Sequence, residues 1–246
     1  MSENPKISLI TVSYNSANTI SETIEHVLNQ TYDNYDYIIV DGLSTDDTVS
    51  IAKSYAEKFA DKGIPFRIIS EKDQGIYDAM NKGISLTDGD IVGIINSDDY
   101  YNDDALEKVA KFYNEVDFDL MYADLRIFGG KKEYIKKSSL GKKFKTRHWN
   151  HPTTFVTRKV YDDFNYANES IYDDLNFMLT ARKKGYNICV LNEVLANFRL
   201  GGVSNEKSWK KCQERIKLRN KIYKQNGCKG YKLDNFLTEF AKFILS

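Results

Sequence analysis

Short apolar runs alternate with amphipathic stretches of helical period through the first hundred residues, and few folds accommodate that alternation. Residues 7–12, 37–40, 66–70 and 91–95 read as strands, and residues 19–30 and 76–84 as helices. Ser44, followed three places on by Asp47, resembles a capping box and predicts one more helix running through Phe59. Strand and helix in alternation predict parallel pairing with right-handed crossovers, hence an α/β fold with a mostly parallel, Rossmann-like sheet flanked by helices. Such a sheet binds ligands beyond the carboxyl ends of its strands. The loops there are 11–15, 41–44, 71–75 and 96–99, and the polar residues gather in them.

Beyond Asp103 a helix to Glu115 and a strand over 120–123 continue the theme. Residues 125–155 then break it with Gly129, Gly130, Gly141 and a run of lysines, so antiparallel excursions are expected there. A helix over 173–184 ends at Gly185, and an apolar stretch spans 188–198. A long basic helix over 208–225 sets Trp209, Ile216 and Ile222 on its apolar positions, and a last apolar-rich helix covers 233–245. The 246 residues include 17 Tyr, 13 Phe and 2 Trp, with 14 Gly and 3 Pro, which excludes a disordered or collagen-like chain.

The net charge of zero hides an asymmetry. Residues 1–124 hold 24 acidic and 9 basic side chains and the rest hold 11 and 26, so the halves carry −15 and +15. An acidic half beside a basic half can place a divalent cation and an anionic ligand together, or simply let two parts of one domain attract. No helix-turn-helix, RNP-like or zinc-finger pattern supports nucleic acid as a partner. Cys189, Cys212 and Cys228 form no C-x-x-C pair, which points to a reducing compartment. The start lacks the basic flank and long apolar core of a signal peptide, and no stretch approaches the roughly 20 apolar residues of a membrane helix. A cytoplasmic protein is expected.

The sharpest chemical element is Asn96-Ser97-Asp98-Asp99 directly after a strand. Neighbouring carboxylates there repel unless a cation or donors compensate them, and their hard oxygens suit Mg²⁺ or Mn²⁺ bound together with phosphate. The plainer reading is a turn, or a cap for the helix near Asp103. The other loops carry matching chemistry. Thr11, Tyr14 and Asn15 offer an aromatic face and polar edges for a nucleobase, and Asp41 could accept from a base N–H.

Taken together, the segments 11–15 (Thr-Val-Ser-Tyr-Asn), 40–48 (Val-Asp-Gly-Leu-Ser-Thr-Asp-Asp-Thr), 73–83 (Asp-Gln-Gly-Ile-Tyr-Asp-Ala-Met-Asn-Lys-Gly) and 96–99 resemble a family 2 glycosyltransferase with the GT-A fold in order and spacing. Segments 174–186 and 192–204 extend the resemblance over nearly the whole chain. It implies a glycosyltransferase domain over 1–204, with a nucleotide-binding half over 1–100 and an acceptor-binding half over 101–204. A helical extension over 205–246 follows. It also implies transfer of a sugar from a nucleotide-diphosphate donor, here a UDP-sugar, to an acceptor hydroxyl, with inversion and with Mn²⁺ or Mg²⁺ as cofactor.

Carried onto matching positions, the resemblance puts Thr11, Val12, Ser13, Tyr14, Asn15 and Asp41 around the uridine. Asp73, Gly75, Asp78 and Lys82 shape the donor pocket together with Asn96, Ser97 and Asp98. Asp99 ligates the metal, Asp98 faces the ribose or the metal, and His151 in the segment 151–155 could ligate the metal or bond the diphosphate. Asp174 takes the acceptor's proton. The chain departs from the family pattern at Asn176, where a second Asp is common, and Asp173 is a rival for the role of base. As a plain residue, an Asp in the first turn of a helix merely favours the helix dipole.

Gly201 and Gly202 suggest a loop able to close over the donor. The Q-x-x-R-W element and membrane helices of the processive synthases are absent, which implies single addition. Enzymes of this kind build capsule, lipopolysaccharide or exopolysaccharide units on saccharide or lipid-linked saccharide acceptors at the inner membrane face. Residues 205–246 hold 11 basic and 4 acidic side chains, which suits peripheral contact with an anionic bilayer. The competing readings are a nucleotidyltransferase and a non-catalytic nucleotide-sugar-binding protein.

Overall fold

A computed structural model describes residues 4–130, 133–141, 144–200 and 208–245. Among them, nine strands form one sheet in the order β3-β2-β1-β4-β8-β6-β9-β5, with β7 joined to β6. Its parallel part is β3 (Phe66–Ser70), β2 (Tyr35–Asp41), β1 (Ile7–Ser13) and β4 (Ile91–Asn96), as the alternation predicted. Val12 is in register with Val40 on one side and Asn96 on the other, so the loops after β1, β2 and β4 leave the sheet along one edge.

Both β1 and β2 are buried along their full length, which is why apolar residues occupy both of their faces, with Ser8, Thr11 and Asp36 buried among them. Their side chains divide between two layers. Ile7 and Leu9 pack with α1 (Ile20–Leu28), and Ile10 and Val12 pack with α4 (Ile76–Ser85).

The helix expected over 44–59 is instead two, α2 (Thr48–Lys53) and α3 (Ala56–Asp61), and the capping box does not form. Ser44 donates to Asp41, while Asp46 accepts from the Thr48 N–H at 3.0 Å and from the Ala17 N–H at 3.1 Å. At the break, Ser54 donates to the Ile51 carbonyl at 2.7 Å, a local bond that competes with helix continuation, and Tyr55 turns to Glu25 at 2.8 Å.

After α5 (Ala105–Val116), strand β6 (Leu120–Phe128) runs well past the expected 120–123. The antiparallel excursions are present: β7 (Tyr134–Lys136) pairs with β6, and β8 (Phe155–Thr157) pairs with both β4 and β6. Then follow α6 (Arg158–Asp163), α7 (Asp173–Lys184) and β9 (Ile188–Arg199), which lies parallel to β6. Gly185 closes α7 in the left-handed region at φ 82°. The two-residue strand β5 (Tyr100–Tyr101) pairs antiparallel with β9 and brings its end to the loop after β4.

Helix α8 (Trp209–Gln225) braces α7, and α9 (Lys232–Leu245) packs on α8. Leu175 and Leu179 of α7 pack with Ile222 and Tyr223 of α8. Buried Arg219 pairs with buried Glu239 at 3.1 Å, and Arg215 pairs with the same carboxylate at 3.2 Å, which locks α8 to α9. Ile222 is in the core as its position predicts, whereas Trp209 stays 44% exposed and meets Phe240 and Phe243 edge-on. No helix among the described residues is long and apolar enough to cross a membrane.

Candidate functional site

The loops at the carboxyl edge are laced together by polar side chains. Asp41 is fully buried and accepts from four donors: the Ser13 hydroxyl at 3.1 Å, the Ser44 N–H at 2.8 Å, the Ser44 hydroxyl at 2.5 Å and the Ser70 hydroxyl at 2.7 Å. Its two oxygens thereby fasten the ends of β1, β2 and β3. Asn15, left-handed at φ 49°, accepts from the Thr45 N–H at 2.9 Å. Ser16 and Ser97 share a hydrogen bond of 2.6 Å that joins the first loop to the fourth.

Thr11 and Val12 lie inside β1 with buried side chains, and the Thr11 hydroxyl accepts from Tyr37 at 2.9 Å. Tyr14 is 62% exposed, an open aromatic face above these loops. Gly42 lets Tyr14 and Asp73 approach, since a Cβ there would stand 2.4 Å from Asp73 Oδ2 and 3.5 Å from Tyr14 Cδ2.

The third loop is held by its own residues. Asp73 accepts from the Gly75 N–H at 2.9 Å, and Gly75 takes φ 124°, a region glycine enters freely. Asp78 accepts from the Gln74 N–H at 3.0 Å, and Lys82 sits 3.3 Å from Asp78 and 3.0 Å from Glu71 while donating to the Lys72 carbonyl. Asp78 and Lys82 therefore shape the loop through internal bonds.

At the end of β4 the chain turns tightly, with the Asp99 N–H bonded to the Asn96 carbonyl at 3.2 Å. Asp98 is half-buried and Asp99 wholly buried. Asp99 Oδ1 accepts from the Arg199 N–H at 2.9 Å, and Oδ2 is buried with no hydrogen-bond partner. Burial, and then the charge of Asp98, push the Asp99 carboxyl up to about 8, and burial raises Asp98 as well.

A hard divalent cation fits an orphaned carboxylate oxygen beside a second acid. Among the described residues no group of three or more His, Cys, Asp or Glu side chains could hold a metal ion, so further ligands would come from phosphate and water.

Folded Asp99 keeps its proton where the unfolded chain has already lost it. The contribution of Asp99 to stability is therefore fully present below the ordinary carboxylate range and is lost as pH rises towards about 8. The metal-free chain should melt at a lower temperature at pH 8 than at pH 6. Asp99→Asn should remove most of that slope, and a thermal melt series in chelator reads both.

The two rival acids at the start of α7 have different surroundings. Asp173 is 2% exposed and accepts from the Glu169 N–H at 2.5 Å, the Ser170 N–H at 3.2 Å and the Ser170 hydroxyl at 2.9 Å. It holds the preceding loop. Asp174 is half-buried, and its charge acts on the Tyr77 hydroxyl and on His151. Tyr77 lies in the first turn of α4 and donates to the Ile171 carbonyl at 3.2 Å. Asn176 bonds Asn226 at 3.0 Å, so the position that departs from the family pattern faces α8.

His151 opens the 3-10 turn His151–Thr153. Burial lowers its pKa, so it is a neutral imidazole, and Nε2 is buried without a hydrogen-bond partner. The charge that acts on it is that of Asp174. Gly201 and Gly202 lie outside the described residues.

Sequence reasoning passed over Arg199, whose backbone N–H holds Asp99, whose guanidinium reaches the Asp98 carbonyl at 3.3 Å, and which pairs with Glu22. It lies within the segment 192–204, but a hundred residues separate it from Asp99. Tyr77, within the segment 73–83, likewise carries no chemical signal of its own in the sequence.

The profile described as glycosyl transferase family 2 matches residues 8–171. A PGL/p-HBAD biosynthesis glycosyltransferase of Mycobacterium tuberculosis is 35% identical over 123 residues, 49% of this chain and 47% of the relative, so the match spans about half the length of that protein. Bacillus subtilis TuaG, assigned to teichuronic acid biosynthesis as a glycosyltransferase, is 30% identical over 215 residues and 84% of each chain.

Among solved structures, residues 1–349 of S. aureus TarS in complex with UDP-GlcNAc superpose with a TM-score of 0.74 at 18% identity, covering 97% of this chain and 73% of that one. The mannosyltransferase PcManGT of Pyrobaculum calidifontis, in complex with GDP-Man and Mn²⁺, gives 0.70 at 17% identity over 99% and 71%. These likenesses establish the fold, the GT-A arrangement.

Proposed function

The chain belongs to glycosyl transferase family 2, and we propose that it is an inverting enzyme that moves a sugar from a UDP-sugar to an acceptor hydroxyl in cell-surface polysaccharide synthesis. The observation that carries this reading is the Asp98–Asp99 pair, with its orphaned carboxylate oxygen, at the end of the strand beside the laced loops of β1 and β2. The names of the mycobacterial relative and of TuaG support the biosynthetic setting, and the UDP-GlcNAc complex of TarS supports the donor class.

In this reading Tyr14 stacks on the nucleobase, and Asp41 accepts from the uracil N3–H once a neighbouring serine hydroxyl turns aside. Asp99 and Asp98 hold Mn²⁺ or Mg²⁺, which when bound neutralises charge on the departing diphosphate. The acceptor oxygen attacks the anomeric carbon from the face opposite the diphosphate. Its proton passes to Asp174, and the electrons of the broken C–O bond leave with UDP. A carboxylate is a weak base for a sugar hydroxyl, so Asp174 acts by position, with proton transfer late in the displacement. His151, neutral and buried, orients Asp174 or contributes to the cation site, while Asp173 fixes the loop that sets the helix start.

A cytoplasmic enzyme working on a saccharide or a lipid-linked saccharide at the inner membrane face fits this chemistry. A donor panel with and without Mn²⁺ tests it. UDP released only with an acceptor is the expected result. Pyrophosphate release would mark a nucleotidyltransferase, and binding without release a non-catalytic protein.

A further inference from the structure

A cavity of about 270 Å³ lies away from the strand-end loops, between the second half of α7 and the turn that joins α8 to α9. It falls just below the roughly 300–1,000 Å³ of sites for drug-sized ligands, which leaves room for one sugar-sized unit. One wall is aromatic, because half-buried Tyr231 lines it and stacks on buried Tyr223 at 5.1 Å between ring centroids. Cations surround it: Arg182, Lys183 and Lys229 all line the cavity. The acid among them, Asp234, stands 3.9 Å from both Lys145 and Arg147, so its charge is already offset. Tyr223 itself is 2% exposed, its hydroxyl has no hydrogen-bond partner, and burial first, then the charges of Arg219, Asp234 and Arg182, act on it.

A flat aromatic wall suits the C–H face of a pyranose, surrounding cations suit a carboxylate or phosphate on that ring, and an unsatisfied buried hydroxyl gains from a polar partner. Bare inorganic anions would leave the aromatic wall without a role, and a neutral sugar would not use the charge of Lys183 and Lys229. Arg182 lies eight residues beyond Asp174 on the same helix, about 12 Å along its axis, within reach of a short oligosaccharide. We infer that this cavity binds an acidic saccharide unit, a uronate or a phosphorylated sugar, of the acceptor chain at a distance from the transfer site. Only the identification of that saccharide with the acceptor rests on the transferase reading above; binding itself does not.

The test is calorimetric titration of the full chain with a glucuronic acid trisaccharide, glucose 1-phosphate and neutral maltotriose, repeated in saturating UDP with Mn²⁺. The acidic probes should bind, maltotriose should not, and UDP should not compete. Lys183→Gln combined with Lys229→Gln, both at exposed positions, should weaken acidic binding about fivefold. Tyr223→Phe, which removes only the unpartnered hydroxyl, should weaken it about threefold while UDP affinity stays unchanged.

Equal binding of maltotriose, competition by UDP, or indifference to the lysine variant overturns the inference. So does binding of phosphatidylglycerol vesicles through these lysines with no affinity for either acidic probe. If the acidic probes bind as expected but no donor releases UDP, the transferase reading falls and the site stands. If UDP is released and the acidic probes do not bind, the reverse holds.

Discussion

Asp174→Asn should lower the rate of sugar transfer by about 10²–10⁴, the contribution of a positioned general base, and leave the affinity for UDP within about twofold. The substitution keeps the side chain's shape and removes the group that receives the acceptor's proton. Asp173→Asn should act on stability instead. Its carboxylate accepts from two backbone N–H groups and one hydroxyl inside the fold, and an amide would keep an oxygen for the N–H groups but lose the charge and turn the Ser170 hydroxyl from donor to acceptor. A loss of about 2–3 kcal/mol follows from the charge-assisted bonds given up, with turnover per folded molecule largely retained. Steady-state rates and urea melts on both variants separate these outcomes. Transfer that survives in Asp174→Asn and vanishes in Asp173→Asn at unchanged stability would exchange the two roles.

The second large effect concerns Asp99. UDP and Mn²⁺ at a hundredfold their apparent Kd should stabilise the parent chain by about 2.7 kcal/mol, and Asp99→Asn should abolish the metal-dependent part of that shift. The amide oxygen can still accept from the Arg199 N–H, so the turn and β9 stay in place, while the orphaned Oδ2 is replaced by a nitrogen that cannot ligate a hard cation. Asp98→Asn should weaken the shift without removing it. A full Mn²⁺-dependent shift in Asp99→Asn would move the cation elsewhere.

Much of the fold was legible because its signals are local. The period of apolar residues identifies α1, α4, α5 and α7. The short apolar runs identify the four parallel strands, and the breaking glycines locate the antiparallel excursions. Where local signals competed, the reading failed. Ser44 and Asp47 have the spacing of a capping box, but Ser44 lies three residues from Asp41 and the buried carboxylate is the stronger partner. The motif segments likewise located Asp98, Asp99, Asp173 and Asp174 without saying which way any of them points.

Alternation of apolar residues and the four strand-end motifs were enough to specify a parallel sheet, the edge that carries the candidate site and the family, since periodicity and motif spacing are properties of neighbours along the chain. Tertiary packing alone decided that the charge of Asp174 acts on Tyr77 and His151, that Ser13 and Ser70 reach Asp41 from the neighbouring strands, and that Arg199 secures Asp99 from a hundred residues away. A carboxylate's direction and protonation depend on which donors, charges and apolar groups fold against it. The decisive partners come from distant elements, brought together only when β1, β2 and β3 pair and β9 closes against β5.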